Sequence, residues 1–343
     1  MIRMFFIRRL KWGKYTVKKF DVVSLGEILI DFTQKSVKDL EFTANPGGAP
    51  CNVLAQLSRL GKKTAFLGKV GHDQFGSFLE NTLICHNINT DGVVATDEAF
   101  TTLAFVGLDS QGNRSFSFVR NNSADVLLSK DEVRYDIIAE GKIFHCGSLS
   151  LTHSCSAAAT VSALEFAASL GLLISVDPNI RLKLWKNPND AAKAVDYLFK
   201  MADIIKLSDY EISFLYGQED ILTSIKHIFS DYRPKILFLT CGSNGAYIST
   251  DRNTYHIPCL ENINTVDTTG AGDSFCGAAL SKLLDYSLDF NSLNEDSYVD
   301  ILRFANAAAN ISTTCYGAVP SMPESETIES VLMNNSIKVT KIV

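Results

Sequence analysis

Residues 266–284 read VDTTGAGDSFCGAALSKLL, and this stretch predicts the start of a helix. An apolar lead-in gives way to threonine and glycine at 268–272, and an amphipathic helical pattern follows. Glycines let a backbone approach an anion closely, and the unpaired N–H groups and dipole of a helix start favour negative charge. The pattern therefore predicts that Gly270, Ala271 and Gly272 form an anion hole at the beginning of a helix.

Asp273 follows this predicted anion hole directly, where its charge alone would repel a phosphate. Phosphoryl transfer accounts for the position, because the attacking hydroxyl must lie beside the γ-phosphate and lose its proton as the new bond forms. The helix start also favours the ionised carboxylate that a base requires. We therefore predict that Asp273 is the catalytic base. A capping residue in the first turn is the alternative that the motif alone leaves open.

A second glycine cluster, NPGGAPCNVLAQLSRLG at residues 45–61, also opens a helical pattern. Backbone exposed at Gly47 and Gly48 beside the amide of Asn52 suits a ligand rich in hydroxyl groups, because an amide both donates and accepts hydrogen bonds. Asp31 lies at the end of the first predicted strand, DVVSLGEILIDF, and ligands of open α/β sheets bind at such strand ends. A turn before a packed helix, and a cap or turn role for Asp31, are the structural alternatives.

Strand-like apolar runs alternate with helical ones from residue 20, which predicts a mostly parallel sheet with helices on both faces. In residues 101–120, TTLAFVGLDSQGNRSFSFVR, two strand-like runs flank a turn without room for a crossover helix, so they predict an antiparallel hairpin. Together with the residues near 41–43, the hairpin would form a small separate sheet that acts as a lid. We predict a basic N-terminal extension at 1–19, a single domain at 20–330 with its lid at about 40–46 and 100–122, and a C-terminal tail at 331–343.

The composition bounds the functions available to the 343-residue chain. Hydrophobic residues make up 46% of it and suit a large core, and the formal net charge of −6 argues against nucleic acid and membrane surfaces as partners. The eight cysteines form no CxxC pair, which is typical of reduced thiols in a cytoplasmic protein. Arginines interrupt the basic N-terminus, so it lacks the apolar core of a signal peptide, and a transit peptide is the less favoured alternative.

Two common phosphate-binding motifs are missing from the sequence. No GxxxxGK[ST] occurs, and the run LGKVG has Val70 where a P-loop needs a hydroxyl. No GxGxxG follows the first predicted strand, where GEILID stands instead. A P-loop kinase and a Rossmann dehydrogenase are therefore disfavoured.

Residues 21–323 resemble the ribokinase-like, or PfkB, carbohydrate kinases. Two signatures of that family stand here as GGAPCNVLAQLSRLG with the downstream GKVGHDQFG, and as DTTGAGDSFCGA. Within the family the chain is most similar to the fructokinases of bacteria and plants, through runs such as SVDPNIRLKLW and ANAAANISTTCYGAVPSMP. The resemblance implies a three-layer ribokinase-like α/β fold with a small β-sheet lid, and transfer of phosphate from MgATP to the 6-hydroxyl of fructose.

The resemblance also implies a role for each residue that matches a family motif. Asp273 would be the base, with Gly270, Ala271 and Gly272 as the anion hole and Arg181 stabilising charge near the sugar or the transferred phosphate. The sugar would be held by Asp31, Gly47, Gly48, Asn52 and Asp273, with Phe105 and Arg120 closing over it from the lid. ATP would lie across Lys206, Ser208, Glu211, Thr240, Gly242, Gly245, Gly270 and Gly272, with Asn306 near the adenine.

Two metal sites are implied in the same way. Glu211 would organise water around Mg²⁺, which keeps several waters when phosphates supply its other ligands. A loop for a monovalent cation such as K⁺ would comprise Asp267, Thr269, Ser312, Cys315, Gly317 and Ser321.

The chain departs from the family pattern at three places. Ser208 stands where the NxxE motif commonly has Asn, as it does in many fructokinases, so Mg²⁺ handling would be intact. Cys51 replaces a small Ala in the glycine cluster, and TTLAFV lacks an Arg often found just before it. The missing Arg bears on the choice of sugar and not on the base.

Several functions remain as alternatives to fructose phosphorylation. The same chemistry could act on ribose, 2-keto-3-deoxygluconate or a nucleoside, because sugar discrimination rests on a few hydroxyl contacts. A catalytically inactive PfkB-like scaffold is a further alternative, although such a protein would be free to lose Asp273 or the glycines. The alternation SFSFV leaves an apolar face, which predicts a homodimer through the lid.

Overall fold

The computed structural model of the protein describes residues 18–36, 39–108, 114–335 and 337–343. Ten of the described strands form the main sheet: β1 (Phe20–Leu25), β4 (Thr64–Gly71), β5 (Ile88–Thr96), β8 (Gly141–Cys146), β9 (Leu173–Val176), β10 (Ile204–Ser208), β11 (Ile236–Thr240), β12 (Ala246–Ser249), β13 (Thr254–Ile257) and β14 (Thr340–Lys341). Four form a second sheet: β2 (Leu29–Ser36), β3 (Asp39–Gly47), β6 (Leu103–Leu108) and β7 (Arg114–Val119).

The strand order across the main sheet is β14-β13-β12-β11-β10-β9-β8-β1-β4-β5. Every neighbouring pair from β11 to β5 is parallel, whereas β12, β13 and β14 add antiparallel strands beyond β11. The second sheet has the order β3-β2-β6-β7, with β2 and β6 parallel and its other pairs antiparallel. The predicted combination of a mostly parallel sheet and a smaller separate sheet is confirmed.

Helices cover both faces of the main sheet. The described helices are α1 (Ala49–Arg59), α2 (Gln74–Cys85), α3 (Tyr135–Ala139), α4 (Ser154–Ser169), α5 (Pro188–Met201), α6 (Asp209–Tyr216), α7 (Ile221–Tyr232), α8 (Ala271–Asp285), α9 (Glu295–Ser312), α10 (Ala318–Ser321) and α11 (Ser325–Asn334). One hydrophobic core lies under α1, α8 and α9, and another lies under α4, α5 and α7.

Consecutive residues of a strand supply the two cores in turn, because side chains alternate between the faces of a sheet. Val22 of β1 packs in the core under α1 and α8, and its neighbour Val23 packs in the core under α4 and α5. Phe66 and Leu67 of β4 divide in the same way. This is why these strands are apolar throughout, as expected for a parallel sheet covered on both sides.

The first predicted strand is wrong in one respect, since residues 21–32 form two strands in different sheets. β1 ends at Leu25, the chain turns over residues 26–28, and β2 then enters the second sheet. A Cβ at Gly26 would lie 2.6 Å from Cγ of Pro50, so the turn passes tightly over the start of α1. Asp31 therefore belongs to the second sheet and not to the end of a main-sheet strand.

The predicted hairpin is present as the antiparallel pair β6 and β7, while its turn at 109–113 lies outside the described residues. Most of the predicted N-terminal extension, residues 1–17, also lies outside them. The predicted C-terminal tail at 331–343 includes the end of α11 and the strand β14, which pairs with β13. Searched over the described part of the chain, no helix has the length and apolarity needed to cross a membrane.

Candidate active site

The start of α8 has a backbone that requires glycine. Gly270 caps the helix with φ 79°, in the left-handed region that side chains disfavour, and its carbonyl accepts a hydrogen bond from the Ser274 N–H at 2.8 Å. A Cβ at Gly270 would lie 2.6 Å from Cβ of Ala318, and one at Gly272 would lie 2.9 Å from Nζ of Lys206. No side chain caps this helix start, and a lysine ammonium lies beside it, as an anion hole would require.

Asp273 lies in the first turn of α8 and contacts the second glycine cluster. Its Oδ2 accepts a hydrogen bond of 2.8 Å from Nδ2 of the buried Asn52 on α1. Loss of water, followed by the Asp177 carboxylate, raises the pKa of Asp273 to about 6, although Asn52, Lys206 and Arg181 act in the opposite direction. The carboxylate is thus ionised at neutral pH and still basic enough to accept a proton.

Lys206 and Asp177 form a buried ion pair beside this helix start. The Lys206 Nζ lies 2.9 Å from an Asp177 carboxylate oxygen, and both side chains are at most 8% exposed. Burial alone would lower the pKa of Lys206, but the carboxylates of Asp177 and Glu211 outweigh it and raise that pKa. The ammonium therefore stays charged where it faces Gly272.

Asp31 occupies space that the second glycine cluster leaves open. A Cβ at Gly47 would lie 2.1 Å from Oδ2 of Asp31, and one at Gly48, where φ is 110°, would lie 2.5 Å from the carbonyl oxygen of Glu27. Loss of water raises the pKa of Asp31 to about 7, the Arg181 guanidinium lowers it, and the Asp273 carboxylate raises it. The charges of Arg181 and Asp273 thus lie close enough to Asp31 to influence its ionisation.

Arg181 lies on the loop between β9 and α5. It precedes the short 3-10 helix Leu182–Leu184, and its Nη1 donates a hydrogen bond of 3.2 Å to the carbonyl of Ile180. Its side chain is exposed, and its positive charge lowers the pKa of both Asp31 and Asp273. The guanidinium can therefore stabilise negative charge that develops between these carboxylates.

Phe105 differs from its predicted place at the sugar site, because it lies on the face of the second sheet opposite to Asp31. Its ring stacks on Phe32, with centroids 5.1 Å apart, and it meets the ring of Phe42 edge-on. Phe32 follows Asp31 in β2, and consecutive side chains of a strand point to opposite faces. Phe105 thus faces away from Asp31, so its predicted closure over the sugar does not match the structure.

Arg120 is buried at the end of the lid, and its predicted contact with the sugar stays a prediction. Its guanidinium donates to Asp125 at 2.7–2.8 Å, to the Thr152 hydroxyl at 2.7 Å and to the Leu149 carbonyl at 2.9 Å. The residue is 3% exposed and follows β7 directly. These contacts attach the end of the second sheet to the main domain. They occupy N–H groups of the guanidinium that was predicted to bind the sugar.

The predicted nucleotide residues lie near the ends of β10 and β11. Thr240 ends β11, and the loop that follows has positive φ at Gly242 and Gly245, where a Cβ at Gly245 would lie 1.9 Å from the Ile257 carbonyl oxygen. Asn306 is buried on α9, and its Nδ2 donates 2.9 Å to the carbonyl of Pro258. Its amide therefore secures the loop between β13 and α8.

Glu211 acts locally as the partner of a capping box. Its Oε2 accepts from the N–H and the hydroxyl of Ser208, both at 2.8 Å, and its Oε1 accepts from the Ile180 N–H at 2.8 Å. Burial, and then Asp177, raise its pKa. Glu211 thus ties the start of α6 to the loop that carries Arg181, in addition to any contact with metal-bound water.

Two of the residues predicted for the monovalent cation, Thr269 and Gly317, contact Asp267. Its Oδ1 accepts from the Thr269 N–H at 2.7 Å, and its Oδ2 accepts from the Gly317 N–H at 3.0 Å. The hydroxyls of Ser312 and Ser321 donate 2.8 Å to the carbonyls of Ala309 and Ala318, whereas Cys315 is exposed. One buried carboxylate thus joins the segment before α8 to the segment after α9.

Two residues at the site have no role in the sequence-based predictions. Asp177 pairs with Lys206, and it follows β9 in the run SVDPN, where a carboxylate after a parallel strand was the available signal. Glu27 is 3% exposed, and its Oε1 accepts 3.1 Å from the Ala49 N–H at the start of α1. The feature of the sequence that could have indicated Glu27 was a charged residue within the apolar run GEILID.

A three-layer α/β fold with an open, lysine-facing helix start beside a carboxylate defines a phosphotransferase of the ribokinase-like class. The sequence profile of the "pfkB family carbohydrate kinase" matches residues 19–325, and the chain belongs to this family.

Relatives and solved structures agree with this assignment. The chain is 42% identical over 313 residues to "Probable fructokinase-2" of Arabidopsis thaliana, covering 88% of this chain and 92% of the relative. The crystal structure of a fructokinase with bound ATP from Xylella fastidiosa is similar with a TM-score of 0.85 and 31% identity, over 93% of this chain and 99% of that one. A Vibrio cholerae O395 fructokinase double mutant with fructose, ADP and potassium ion is similar at a TM-score of 0.81 and 27% identity, over 92% and 100%.

Proposed function

We propose that this carbohydrate kinase transfers the γ-phosphate of ATP to the 6-hydroxyl of fructose, with Asp273 as the base. The observation that carries the proposal is the position of Asp273 at an open helix start, hydrogen-bonded to Asn52 and close to Asp31 and Arg181. The similarity to fructokinases supports fructose as the acceptor.

The residues divide the reaction between a sugar side and a phosphate side. Asn52 holds Oδ2 of Asp273, which leaves Oδ1 to take the proton of the sugar hydroxyl as the hydroxyl oxygen attacks the γ-phosphorus. The bond from that phosphorus to the bridging oxygen of ADP breaks in the same displacement. Asp31 orients the sugar through its other hydroxyls, and the Gly47 and Gly48 backbone lies beside it.

The phosphate side supplies positive charge at fixed positions. The first N–H groups of α8 have no partner within the helix, and Lys206 and Arg181 add an ammonium and a guanidinium. Such preorganised donors stabilise charge that develops in a transition state, typically by several kcal/mol. The group at Gly270, Ala271, Gly272, Lys206 and Arg181 therefore forms the proposed phosphoryl site.

The residues present fit Mg²⁺ held mainly by phosphates and water. No cluster of three or more His, Cys, Asp or Glu side chains suited to a metal occurs in the ranges that the structure describes. Mg²⁺ bound through one carboxylate, waters and substrate phosphates needs no such cluster. When bound, it would neutralise phosphate charge, and Glu211 is the carboxylate that we place nearest to its water shell.

We also propose that the Asp267 loop responds to a monovalent cation. Asp267 joins the segment before α8 to Gly317, so ordering this loop would order the anion hole. The similar Vibrio protein is described with a bound potassium ion. Rates measured in KCl, NaCl and tetramethylammonium chloride at equal ionic strength should be highest in KCl, and equal rates in all three would reject the proposal.

The substrate is tested by a coupled ADP-release assay with fructose, ribose, 2-keto-3-deoxygluconate, adenosine and glucose. A missing hydroxyl contact leaves buried polar groups unpaired and can change discrimination by orders of magnitude. We expect fructose to have the highest kcat/KM by about tenfold or more. A higher value for another acceptor would retain the kinase and reject fructose, and activity on none would favour a scaffold.

We further propose that the Phe105 face of the second sheet is covered by a second copy of the chain. Phe32, Phe42 and Phe105 are half-buried there, and Val119, paired with Leu103 on that face, is 57% exposed. Light scattering should report a dimer, and Val119→Asp should shift it toward the monomer. Met333→Asp, on α11 at a residue 84% exposed, is the matched control and should leave the dimer intact.

We propose the cytoplasm as the compartment. A kinase needs ATP, and the eight cysteines are all unpaired in the structure, with Cys85, Cys155 and Cys315 exposed, which suits a reducing environment.

A further inference from the structure

Two carboxylates, Asp177 and Glu211, are buried beside the positive charges of the proposed phosphoryl site. Asp177 is 2% exposed and Glu211 is 3% exposed, although a buried carboxylate is costly unless it is paired and hydrogen-bonded. The oxygens of Glu211 accept from the start of α6 and from the Ile180 N–H. Asp177 follows β9 and caps no helix, so its burial has to be explained by its other contacts.

The register of the main sheet places Asp177 beside Lys206. Val176 of β9 pairs with Ile205 of β10, so the next residues of the two chains lie side by side. Val176 and Ile205 pack in the core under α4 and α5. Because side chains alternate between the faces of a sheet, Asp177 and Lys206 point to the opposite face, which α1 and α8 cover.

Asp177 contacts one cation directly and the backbone turn that carries the other. Its Oδ2 lies 2.9 Å from Nζ of Lys206, in an ion pair without the alignment of a hydrogen bond. Its Oδ1 accepts a hydrogen bond of 3.3 Å from the N–H of Asn179, which has a left-handed φ of 45°. Asn179 lies two positions before Arg181. One carboxylate therefore contacts both the ammonium and the turn before the guanidinium.

Lys206 needs such a partner if it is to act on a phosphate. Burial alone would lower the pKa of its ammonium, and Asp177 is the largest influence that raises it. The ion pair also fixes one position for a long and flexible side chain. In that position Nζ would lie 2.9 Å from a Cβ at Gly272, so the ammonium is held against the first turn of α8.

We propose that Asp177 is a positioning residue for phosphoryl transfer, whose carboxylate fixes the Lys206 ammonium and the turn that carries Arg181 beside the start of α8. The proposal rests on the proposed function, in which these two cations act on the γ-phosphate and Asp273 acts on the sugar hydroxyl. Asp177 itself would contact neither the sugar nor the phosphate and would act through its neighbours.

The charge of Asp177 also acts on the base, which makes its role measurable. After burial, Asp177 is the largest influence that raises the pKa of Asp273 to about 6. In the described part of the chain, the titratable groups that face Asp273 are Asp31 of β2, Cys51 of α1, Asp177, Arg181, Lys206 of β10 and Cys276 of α8. Burial raises the pKa of both thiols, so they carry no charge near pH 6. Asp31, with a pKa of about 7, is the same in every variant, so a difference between variants reports Asp177.

Asp177→Asn keeps the shape of the side chain and an oxygen for the Asn179 N–H but removes the charge. The measurement is kcat with saturating fructose and MgATP from pH 4.5 to pH 8. We expect kcat to fall about 10- to 100-fold, because the cations lose their fixed positions. The midpoint of its pH dependence should move to lower pH, since a charge that raises the pKa of Asp273 is gone. A purely structural role would reduce the amount of folded enzyme and leave that midpoint in place.

Asp203→Asn is the matched control, at the opposite end of the same two strands. Asp203 accepts a hydrogen bond of 2.9 Å from the Ile174 N–H and pairs with Lys235 at 2.9 Å, so it repeats the contacts of Asp177 away from the site. This variant should keep the wild-type kcat per folded enzyme and the wild-type pH midpoint.

Asp177→Glu is the second test, because removing the charge of one partner in a buried ion pair can prevent folding. The longer side chain keeps the charge but displaces it by one methylene. The pH midpoint should therefore stay near that of wild type, while kcat falls about tenfold or more. Circular dichroism checks that each variant is folded.

Two results would overturn the inference: an unchanged or higher pH midpoint in folded Asp177→Asn, or a wild-type kcat in folded Asp177→Glu. Wild type and Asp203→Asn are assayed beside these variants. Absence of fructose phosphorylation by wild type would reject the proposed function itself. An active wild type together with either overturning result would remove only the role of Asp177.

Discussion

Helices α1 and α8 begin in nearly the same way, yet their two starts do different things. Each follows a glycine with positive φ, Gly48 at 110° and Gly270 at 79°, and neither glycine can cap the helix with a side chain. At α1 the buried Glu27 accepts from the Ala49 N–H, so a carboxyl group of the protein already occupies the start of the helix. At α8 no side chain caps the helix, and the Lys206 ammonium lies beside Gly272.

The difference explains why one glycine motif supports the site and the other carries the chemistry. The N–H groups of a helix start need an acceptor, and where a side chain of the protein provides it the start becomes a fixed support. α1 then holds Asn52, which in turn holds Asp273. Where the chain leaves the start open, the anion can come from the substrate.

The largest expected effect comes from changing the carboxylate at the open start. Asp273→Asn keeps the shape of the side chain but cannot accept the proton, so kcat should fall about 10²- to 10⁴-fold. Binding of ATP and fructose, measured by calorimetry, should change little, and the circular dichroism spectrum should match wild type. Asp209→Asn, at an exposed carboxylate in the first turn of α6, is the control and should keep wild-type turnover.

Alanine at the two glycine positions should separate activity from stability. At Gly272 the new Cβ meets the movable end of Lys206 at 2.9 Å, so the fold should persist while kcat/KM falls about 10- to 100-fold. At Gly48 it meets the Glu27 carbonyl at 2.5 Å with φ at 110°, which should lower the free energy of unfolding by about 1–3 kcal/mol. Urea denaturation and steady-state kinetics on both variants make the test, and equal stability losses would contradict the contrast.

A smaller effect should follow from the carboxylate that closes α1. Burial raises the pKa of Glu27 to about 7 from an ordinary value of 4.5, so the folded state holds its proton more tightly than the unfolded state. The stability from that proton is complete below pH 4.5 and is lost as the pH rises through about 7. Glu27→Gln still accepts from the Ala49 N–H and has no proton to lose. Its free energy of unfolding relative to wild type should therefore rise by on the order of 1 kcal/mol between pH 5 and pH 8. An unchanged difference between the two pH values would count against a buried proton at Glu27.

The sequence predicted the parts of the molecule that depend on local pattern. Apolar strands that alternate with helices indicated the layered fold, and the runs NPGGAP and DTTGAGD indicated two glycine-rich helix starts. The structure also brings Asp31, Asn52, Arg181 and Asp273 into one site, as the resemblance implied. Their individual roles in binding and catalysis remain predictions.

The predictions that failed depended on contacts far apart in the chain. Residues 21–32 were predicted as one strand, but they divide between two sheets at a turn where Gly26 lies against Pro50, and Pro50 is 24 positions further along the chain. The direction of Phe105 follows from the pairing of β6 with β2, which no local pattern specifies. The burial of Arg120 likewise depends on Thr152 and Leu149, which are 32 and 29 residues away in the chain, whereas its predicted contact with the sugar stays a prediction.

The ionisation of Asp273 in the working enzyme tests the central claim most directly. The measurement is kcat with saturating fructose and MgATP from pH 5 to pH 8, for wild type and for Asn52→Ala. A base with a pKa of about 6 should make the wild-type kcat fall with decreasing pH below that value, as the carboxylate takes up a proton. Loss of the Asn52 hydrogen bond, which lowers the pKa, should move that midpoint to higher pH. A kcat that stays level across this range, or a midpoint that is the same in both proteins, would contradict Asp273 as the base.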